Sequence, residues 1–157
     1  MGTSTSAKLI YGYRLQSDNE GWLVQEALDE NGEYDGLTLD WLEQDGDFHS
    51  AAKDRLRAAV GYEEGDYADP QAWRARRNDA NARVAVTFES SGYKYGDLFL
   101  AAAVHRTDLG DTEQIDPAAM STAADEAANE RLRFALGVLG LTPIQEKPAW
   151  LLTVCRG

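Results

Sequence analysis

Few side chains in this 157-residue chain have the types and spacing that catalysis or metal binding requires. The candidates for a metal ligand or a thiol–imidazole pair are Cys155, His49 and His105, which lie far apart in the sequence. A zinc site usually draws its ligands from short motifs such as Cys-x-x-Cys, His-x-x-x-His or His-Glu-x-x-His, and the chain contains none of them. Cys155 lies in an apolar segment, where a buried, inert thiol is the better interpretation.

Two pairs of carboxyl and amide side chains resemble the start of a calcium-binding loop. They are Asp29-x-Asn31 and Asp45-x-Asp47, and neither has the glycine that such a loop carries at its sixth position. Asn31-Gly32 already explains the first pair as a tight turn. No glycine-rich phosphate loop follows a predicted strand. The sequence therefore predicts no metal site, no cofactor and no catalytic residue, and an enzyme is the less favoured class of function.

The chemistry that the sequence does favour is electrostatic. Within a formal net charge of −12, residues 16–69 carry 16 acids and three bases, whereas residues 70–110 carry six bases and four acids. We call residues 16–69 the acidic segment. A field of this sign repels nucleic acid and lipid headgroups and attracts basic proteins. The predicted partner is thus a basic protein, and direct binding of nucleic acid or of a membrane is disfavoured.

Acidic and aromatic side chains occur together in the acidic segment, as they do in binding hot spots for a basic partner. The predicted partner-binding residues are Asp40, Trp41, Glu43, Asp45, Tyr62, Glu63, Glu64, Asp66 and Tyr67. The alternatives are that the acids form a solvated face and that the aromatic side chains belong to the core.

An arginine cluster follows the acidic segment. Arg74, Arg76 and Arg77 are predicted to bind an anion, because a guanidinium group pairs with carboxylates and phosphates through a planar fork of donors. They could instead neutralise the acidic segment or bind a carboxylate of a partner. With Trp73 beside them, stacking on a nucleic-acid strand is a further, less favoured use.

A mixture of strands and helices must position these residues. Apolar runs bounded by turn residues predict strands, and apolar residues at 3.6-residue spacing between Asp caps and glycines predict helices. The predicted strands cover residues 7–15, 83–90, 97–106 and 148–155, with a hairpin between the second and the third. The predicted helices cover residues 48–60, 71–82 and 118–139. Residues 22–28 and 37–43 fit a short helix or a short strand equally well.

This order predicts an α+β domain. The expected architecture is a two-layer sandwich with helices packed on a mostly antiparallel sheet, and a βαββαβ ferredoxin-like order is one way to count the elements. The single domain is expected to span residues 7–157, after a disordered N-terminus at residues 1–6. The start of the chain lacks the pattern of a signal peptide, and the longest apolar runs are too short to cross a membrane. A cytoplasmic location follows as an expectation.

Five segments of the chain form a further pattern. They are Lys8–Leu15 with its Tyr-Gly-Tyr sequence, Gly21-Trp22, Asp40-Trp41, the helix end at residues 59–62 and the hairpin at residues 84–106. Together they resemble small proteins of unknown function that are encoded by actinobacteriophages and by related prophages. Members of that family commonly begin Tyr-Gly-Tyr-Asp-Leu, and Arg14 stands here in place of the aspartate. The resemblance covers about residues 7–110 and implies no activity, cofactor or catalytic residue.

Three functions are compatible with these patterns. The favoured one is a phage-type cytoplasmic accessory protein that binds a basic host or phage protein through its acidic face. The first alternative is a small ligand-binding or hydrolytic protein that uses carboxylates and the arginine cluster. The second alternative is a structural protein of virion assembly.

Overall fold

The computed structural model describes residues 4–33, 36–65, 67–92 and 96–156. Its elements confirm the predicted α+β class. The strands are β1 (Thr5–Ser17), β2 (Gly21–Trp22), β3 (Thr87–Ser90), β4 (Leu98–Asp108) and β5 (Ala149–Arg156). The helices are α1 (Phe48–Ala59), α2 (Pro70–Val84), α3 (Pro117–Ala123) and α4 (Glu126–Leu139), and a 3-10 turn covers Gln25–Ala27.

The central strand of the sheet is β1, and all pairs of named strands are antiparallel. One edge of β1 pairs with β4, which pairs in turn with β3, and the other edge pairs with β5 and the short β2. Strands β1 and β3 both run antiparallel to β4, so they are parallel to each other with β4 between them. Strands β4 and β5 have the same relation across β1. The two crossovers are therefore split βαβ units, which is the ferredoxin-like order considered above.

Helices α1, α2 and α4 cover one face of the sheet and enclose the main core. The strands contribute apolar side chains to it from alternate positions, since successive residues of a strand point to opposite faces. These side chains include Tyr11, Tyr13, Leu15, Phe88 and Leu100. Helix α1 contributes an apolar stripe of Phe48, Ala52 and Leu56. Helix α4 contributes a second stripe of Ala128, Leu132, Ala135, Leu136 and Leu139. A fully buried leucine such as Leu132 contributes roughly 1.5–3 kcal/mol of stability.

The opposite face of the sheet curls over a second, smaller cluster. Its members are Ile10, Phe99 and Ala101, with Val104 and Leu151 packed against them. Diagonal corners of the sheet meet above this cluster, because the backbone of Gly92 bridges to Arg156 and the Cys155 Sγ lies 3.5 Å from the Ser90 carbonyl oxygen. Lys8 Nζ also donates to that carbonyl, at 3.3 Å. The curl thus buries apolar side chains that the helices do not reach.

Gly12 allows β1 and β4 to approach closely, as its position in a predicted strand indicates. The register of the two strands shifts between Tyr11 and Gly12. A Cβ atom at Gly12 would lie 1.8 Å from the backbone oxygen of Leu100. Any side chain at this position would therefore separate the two central strands.

The helix ends follow the predicted capping residues. Asp47 and Asp69 accept hydrogen bonds from backbone N–H groups in the first turns of α1 and α2, and Pro70 occupies the first position of α2. Gly140 ends α4 in the left-handed region with φ 67°. Gly61, with φ 86°, follows α1 in the same way. None of the helices in the described part of the chain is long and apolar enough to span a membrane.

One strand and one helix differ from their predicted extents. The strand expected at residues 83–90 begins only at Thr87, because α2 continues through Val84 and ends at Ala85, which has φ 56°. Val84 and Val86 are nevertheless buried, so their alternation reflects burial at the helix exit. The helix expected at residues 118–139 is two helices, because the Asp125 carboxylate caps a new start by accepting from the Ala128 N–H.

Three further segments also needed the structure to place them. Residues 22–28 contain the end of β2 and the 3-10 turn. Residues 37–43 form neither a helix nor a strand but a turn that packs Leu37, Leu39 and Trp41 against the core. Strand β1 begins at Thr5, and Ser6 pairs with both neighbouring strands, so these two residues belong to the sheet and not to a disordered N-terminus.

Candidate functional site

A cationic cavity lies where α1, α2 and β3 meet. Its volume is about 420 Å³, and three of its lining side chains are the cations Lys53, Arg57 and Arg77. Helix α1 supplies the first two and helix α2 supplies the third, together with the amide of Asn81. The remaining lining residues are Leu56, Val84, Val86, Thr87, Phe88 and Glu89. The cavity therefore combines an apolar wall from the core with several donors of hydrogen bonds.

Arg57 is the most deeply placed of the three cations, since only 4% of its side chain is exposed. Its guanidinium donates to Asp54 and, at 3.3 Å, to the Asn81 side-chain oxygen. Its Nε is buried and has no hydrogen-bond partner among the described residues. Asp54 is 68% exposed, so water screens much of the attraction that its carboxylate offers to the buried guanidinium.

Glu89 is the acid that lines the cavity, and both of its oxygens are engaged. One oxygen accepts from Lys8 Nζ at 2.9 Å, and the other accepts from the Thr87 hydroxyl at 3.1 Å. Lys8 therefore neutralises this carboxylate from outside the cavity. The charge that remains along the cavity wall is positive.

Arg77 joins the cavity to a neighbouring surface cluster. Its guanidinium carbon lies 5.1 Å from the ring centroid of Trp73, which stacks against Tyr67 at 4.8 Å. The Trp73 Nε1 and the Tyr67 hydroxyl both donate to the same oxygen of Glu64, each at 3.1 Å. We call Glu64, Tyr67 and Trp73 the aromatic–acid cluster. It connects the end of the acidic segment to the start of α2.

Hydrogen bonding changes the acidity of this cluster without burial. The bond from Trp73 is the main reason that the pKa of the exposed Glu64 lies below its usual range, and Tyr67 and Arg77 act in the same direction. The bond to Glu64 in turn raises the pKa of the Tyr67 hydroxyl. Glu64 therefore carries a full negative charge at neutral pH, next to Tyr67, a residue that is 60% exposed.

The predicted partner-binding residues fall into two groups that α1 separates. Asp40, Glu43 and Asp45 are exposed and precede α1, and we call them the first acidic group. Glu63 and Glu64 are exposed and follow α1, and we call them the second acidic group. Helix α1 has 12 residues, which corresponds to a length of about 18 Å. The described acids of the predicted partner-binding set thus form two groups, one before α1 and one after it.

The aromatic members of the prediction differ in how far they are engaged within the fold. Trp41 is half-buried, packs against Phe48 and donates through Nε1 to the Leu139 carbonyl oxygen at 2.9 Å. Tyr62 is half-buried, and its hydroxyl is buried without a hydrogen-bond partner among the described residues. Tyr67 alone of the three is largely exposed. Asp66 lies outside the described residues.

The three predicted anion-binding arginines do not form one site. Arg77 lines the cationic cavity, whereas Arg76 lines a separate depression of about 390 Å³ with Tyr62, Glu63 and Glu64. Arg74 is exposed and lines neither. None of the three forms a salt bridge with a described acid of the acidic segment. Among those acids, only Asp54 has such a basic partner, which is Arg57.

Sequence reasoning missed Lys53, Arg57 and Asn81 as members of the cavity. The spacing of Asp54 and Arg57, three residues apart on a predicted helix, is a signal for an ion pair but not for burial. Asn81 lies four residues after Arg77, so the two share a face of α2. The donors of α1 and those of α2 come together only because the two helices pack against each other. The sequence alone does not show that packing.

The histidines and the cysteine are not brought together. His49 stacks edge-on against Phe88 at 5.6 Å, and burial lowers its pKa. His105 lies on β4, and its Nδ1 is 3.6 Å from an oxygen of Glu113 in the loop that follows this strand. Cys155 is partly exposed, not fully buried as expected. Within the described ranges, no group of three or more His, Cys, Asp or Glu residues could hold a metal ion.

Comparison with known proteins adds nothing to this geometry, since no family model, no curated protein and no solved structure matches the chain.

Proposed function

We propose that this protein is a non-enzymatic accessory protein that binds a basic protein partner, with the second acidic group and Tyr67 as the centre of the contact. The observation that carries the proposal is the aromatic–acid cluster. There, an ionised Glu64 carboxylate is fixed by Trp73 and Tyr67 beside an exposed aromatic ring.

The charge of the acidic segment is available to a partner. Apart from Asp54, its described acids form no salt bridge with a described residue, and Arg57 and Arg77 act on Glu64 only as nearby charges. Unpaired exposed carboxylates create a field that accelerates the approach of a basic surface and that salt weakens. This supports a basic protein in preference to an acidic one or a nucleic acid.

The second acidic group is favoured over the first because of its aromatic residues. Trp41, beside the first group, already packs on Phe48 and donates its N–H to α4. Tyr67 is largely exposed, and exposed tyrosines with fixed orientation are frequent anchors of interfaces. The first group then contributes attraction at long range, and the second contributes direct contacts.

The resemblance to actinobacteriophage proteins supplies the proposed setting. A phage-encoded accessory protein would act in the host cytoplasm on a host or phage protein that is basic, for example one that normally holds nucleic acid. A role in virion assembly is the alternative use of the same surface.

Affinity purification from an actinobacterial lysate, followed by quantitative rebinding of the captured protein, tests the proposal. The triple variant E63Q/E64Q/Y67A is expected to lower the affinity at least tenfold, and D40N/E43Q/D45N to lower mainly the association rate. Raising the salt from about 50 to 300 mM should weaken wild-type binding and reduce the difference between the variants.

E130Q is the matched control, because Glu130 is an exposed acid on α4 outside both acidic groups. It should bind like the wild-type protein. An equal loss of affinity in E130Q and in the triple variant would reject the proposed surface. An affinity that does not change with salt concentration would reject it as well.

A further inference from the structure

We propose that the cationic cavity is a binding site for a small organic phosphate, namely a phosphate monoester attached to an apolar group. This proposal does not rest on the proposed protein partner, although Arg77 contacts both sites. The cavity uses α1, α2 and β3 rather than the exposed end of the acidic segment, and it combines a positive wall with an apolar one.

The cations of the cavity are arranged for a doubly charged group. Lys53 from α1 and Arg77 from α2 line the cavity together with Arg57, which is the most deeply buried of the three. Glu89, the one carboxylate among the described residues of the lining, is paired with Lys8. A phosphate monoester carries close to two negative charges at neutral pH and offers three acceptor oxygens, which suits three cations better than a single carboxylate does.

Arg57 provides the most specific indication of an anion. Removing a guanidinium from water costs free energy unless hydrogen bonds and a counter-charge compensate it. Its Nη atoms are bonded to Asp54 and Asn81, whereas Nε is buried and has no bond within the described chain. An anion in the cavity would supply both the acceptor and a second, better-buried counter-charge.

The remaining walls call for an apolar group on the ligand. Leu56, Val84, Val86 and Phe88 line the cavity and belong to the main core. A volume of about 420 Å³ exceeds what one phosphate ion fills and lies within the range of pockets that hold small organic molecules. Burial of an apolar ring against these side chains would add affinity in proportion to the area removed from water.

The surroundings exclude long polyanions from this site. Glu64 lies close enough to Arg57 and Arg77 for both cations to lower its pKa, so a negative charge stands near the cavity. The net charge of −12 adds a repulsion that grows with the charge of the ligand. A short phosphate monoester meets the cations with the least of this repulsion.

Titration calorimetry with phenyl phosphate is the direct test, with inorganic phosphate and phenol as probes that each lack one half of the ligand. Phenyl phosphate is expected to bind saturably and at least tenfold more tightly than either. K53Q and R77Q, both at partly or fully exposed positions, should each weaken phenyl phosphate about tenfold, since a lost charged hydrogen bond has an effect of this order. R57M, which keeps the volume, should abolish binding in a protein whose circular dichroism is unchanged.

R74Q is the matched control, because Arg74 is an exposed arginine on α2 that does not line the cavity. It should bind phenyl phosphate like the wild-type protein. An equal loss for R74Q and R77Q would reduce the binding to non-specific charge attraction and overturn the proposal. Absence of saturable binding by the wild-type protein would overturn it as well, and inorganic phosphate binding as tightly as phenyl phosphate would overturn its apolar half.

Discussion

The aromatic–acid cluster and the cationic cavity are neighbours that share Arg77 and differ in nearly every physical respect. The cluster consists of the exposed Glu64 and Tyr67 and the half-buried Trp73, and hydrogen bonds to the Glu64 carboxylate hold it together. The cavity is lined by core side chains and by a guanidinium that is almost completely buried. Water solvates the exposed acids, so their charge has little desolvation penalty. The buried Arg57 has a large desolvation penalty that only specific partners offset.

The difference shows that net charge alone is a poor guide to what this molecule binds. The excess of acids describes the exposed surface of the acidic segment, and it favours a basic macromolecule. Lys53 and Arg57 lie in that same segment of sequence, yet the packing of α1 on α2 turns them toward a common cavity of opposite sign. Two ligands of opposite charge can therefore be proposed for adjacent sites, and substitutions can distinguish them.

The largest expected contrast between the two regions is in stability. F88A removes a ring that lines the cavity and belongs to the main core, and it should lower the free energy of unfolding by about 3–5 kcal/mol. Y67A removes the exposed ring of the aromatic–acid cluster and should change it by less than about 0.5 kcal/mol. Urea denaturation of both variants measures this. Similar losses would mean that the cluster is part of the packed structure and not a free surface.

The next contrast separates two kinds of acid within the acidic segment. Asp69 caps α2 by accepting from the Gln71 and Ala72 N–H groups, so D69A should cost about 1 kcal/mol of stability. Asp40 is exposed and forms no salt bridge with a described residue, so D40A should leave the stability unchanged or raise it slightly by relieving repulsion. Thermal unfolding at low salt compares them. If D40A is the more damaging, the first acidic group is structural and not available to a partner.

Much of the fold could be predicted from the sequence, because helix caps and helix ends depend on a few neighbouring residues. The Asp47 and Asp69 caps and the Gly140 end are each set by a few neighbouring residues, and the structure confirms them. The end of α2 at Ala85 could not be predicted, since alternating valines satisfy a strand and a buried helix exit equally well. The break at Asp125 was missed because the apolar stripe continues across it.

Less of the candidate sites could be predicted, because both depend on contacts between distant elements. The sequence placed Glu64, Tyr67 and Arg77 among its binding residues, and they do come together at one end of α2. It grouped Arg74, Arg76 and Arg77 by proximity in the chain, although the helix turns them in different directions. The burial of Arg57 depends on the packing of α1 against α2, which no local pattern encodes.

A smaller effect is expected on how the stability depends on pH, through His49, which packs against the cavity-lining Phe88. His49 packs against Phe88, and burial, with Lys53 nearby, holds its pKa below the ordinary value of 6.5. The unfolded chain therefore takes up a proton there before the folded one does, and stability falls as the pH drops below about 6.5. H49Q should remove part of this fall in chemical denaturation between about pH 7 and 5. Above pH 7.5 the two proteins should have parallel profiles, and a difference confined to that range would contradict the assignment to His49.

The smallest expected effect is on the acidity of a single exposed carboxylate. W73F removes the indole donor that is the main cause of the lowered pKa of Glu64, so that pKa should rise toward its usual range. Y67F removes a weaker contribution to the same carboxylate and should raise the pKa less. Carboxyl ¹³C chemical shifts followed through an acid titration measure both. A larger rise in Y67F than in W73F would reverse the proposed order of the two donors. No rise in either would mean that the cluster does not fix Glu64, and the exposed ring of Tyr67 would then stand without the oriented charge that distinguishes this surface from the other acids of the segment.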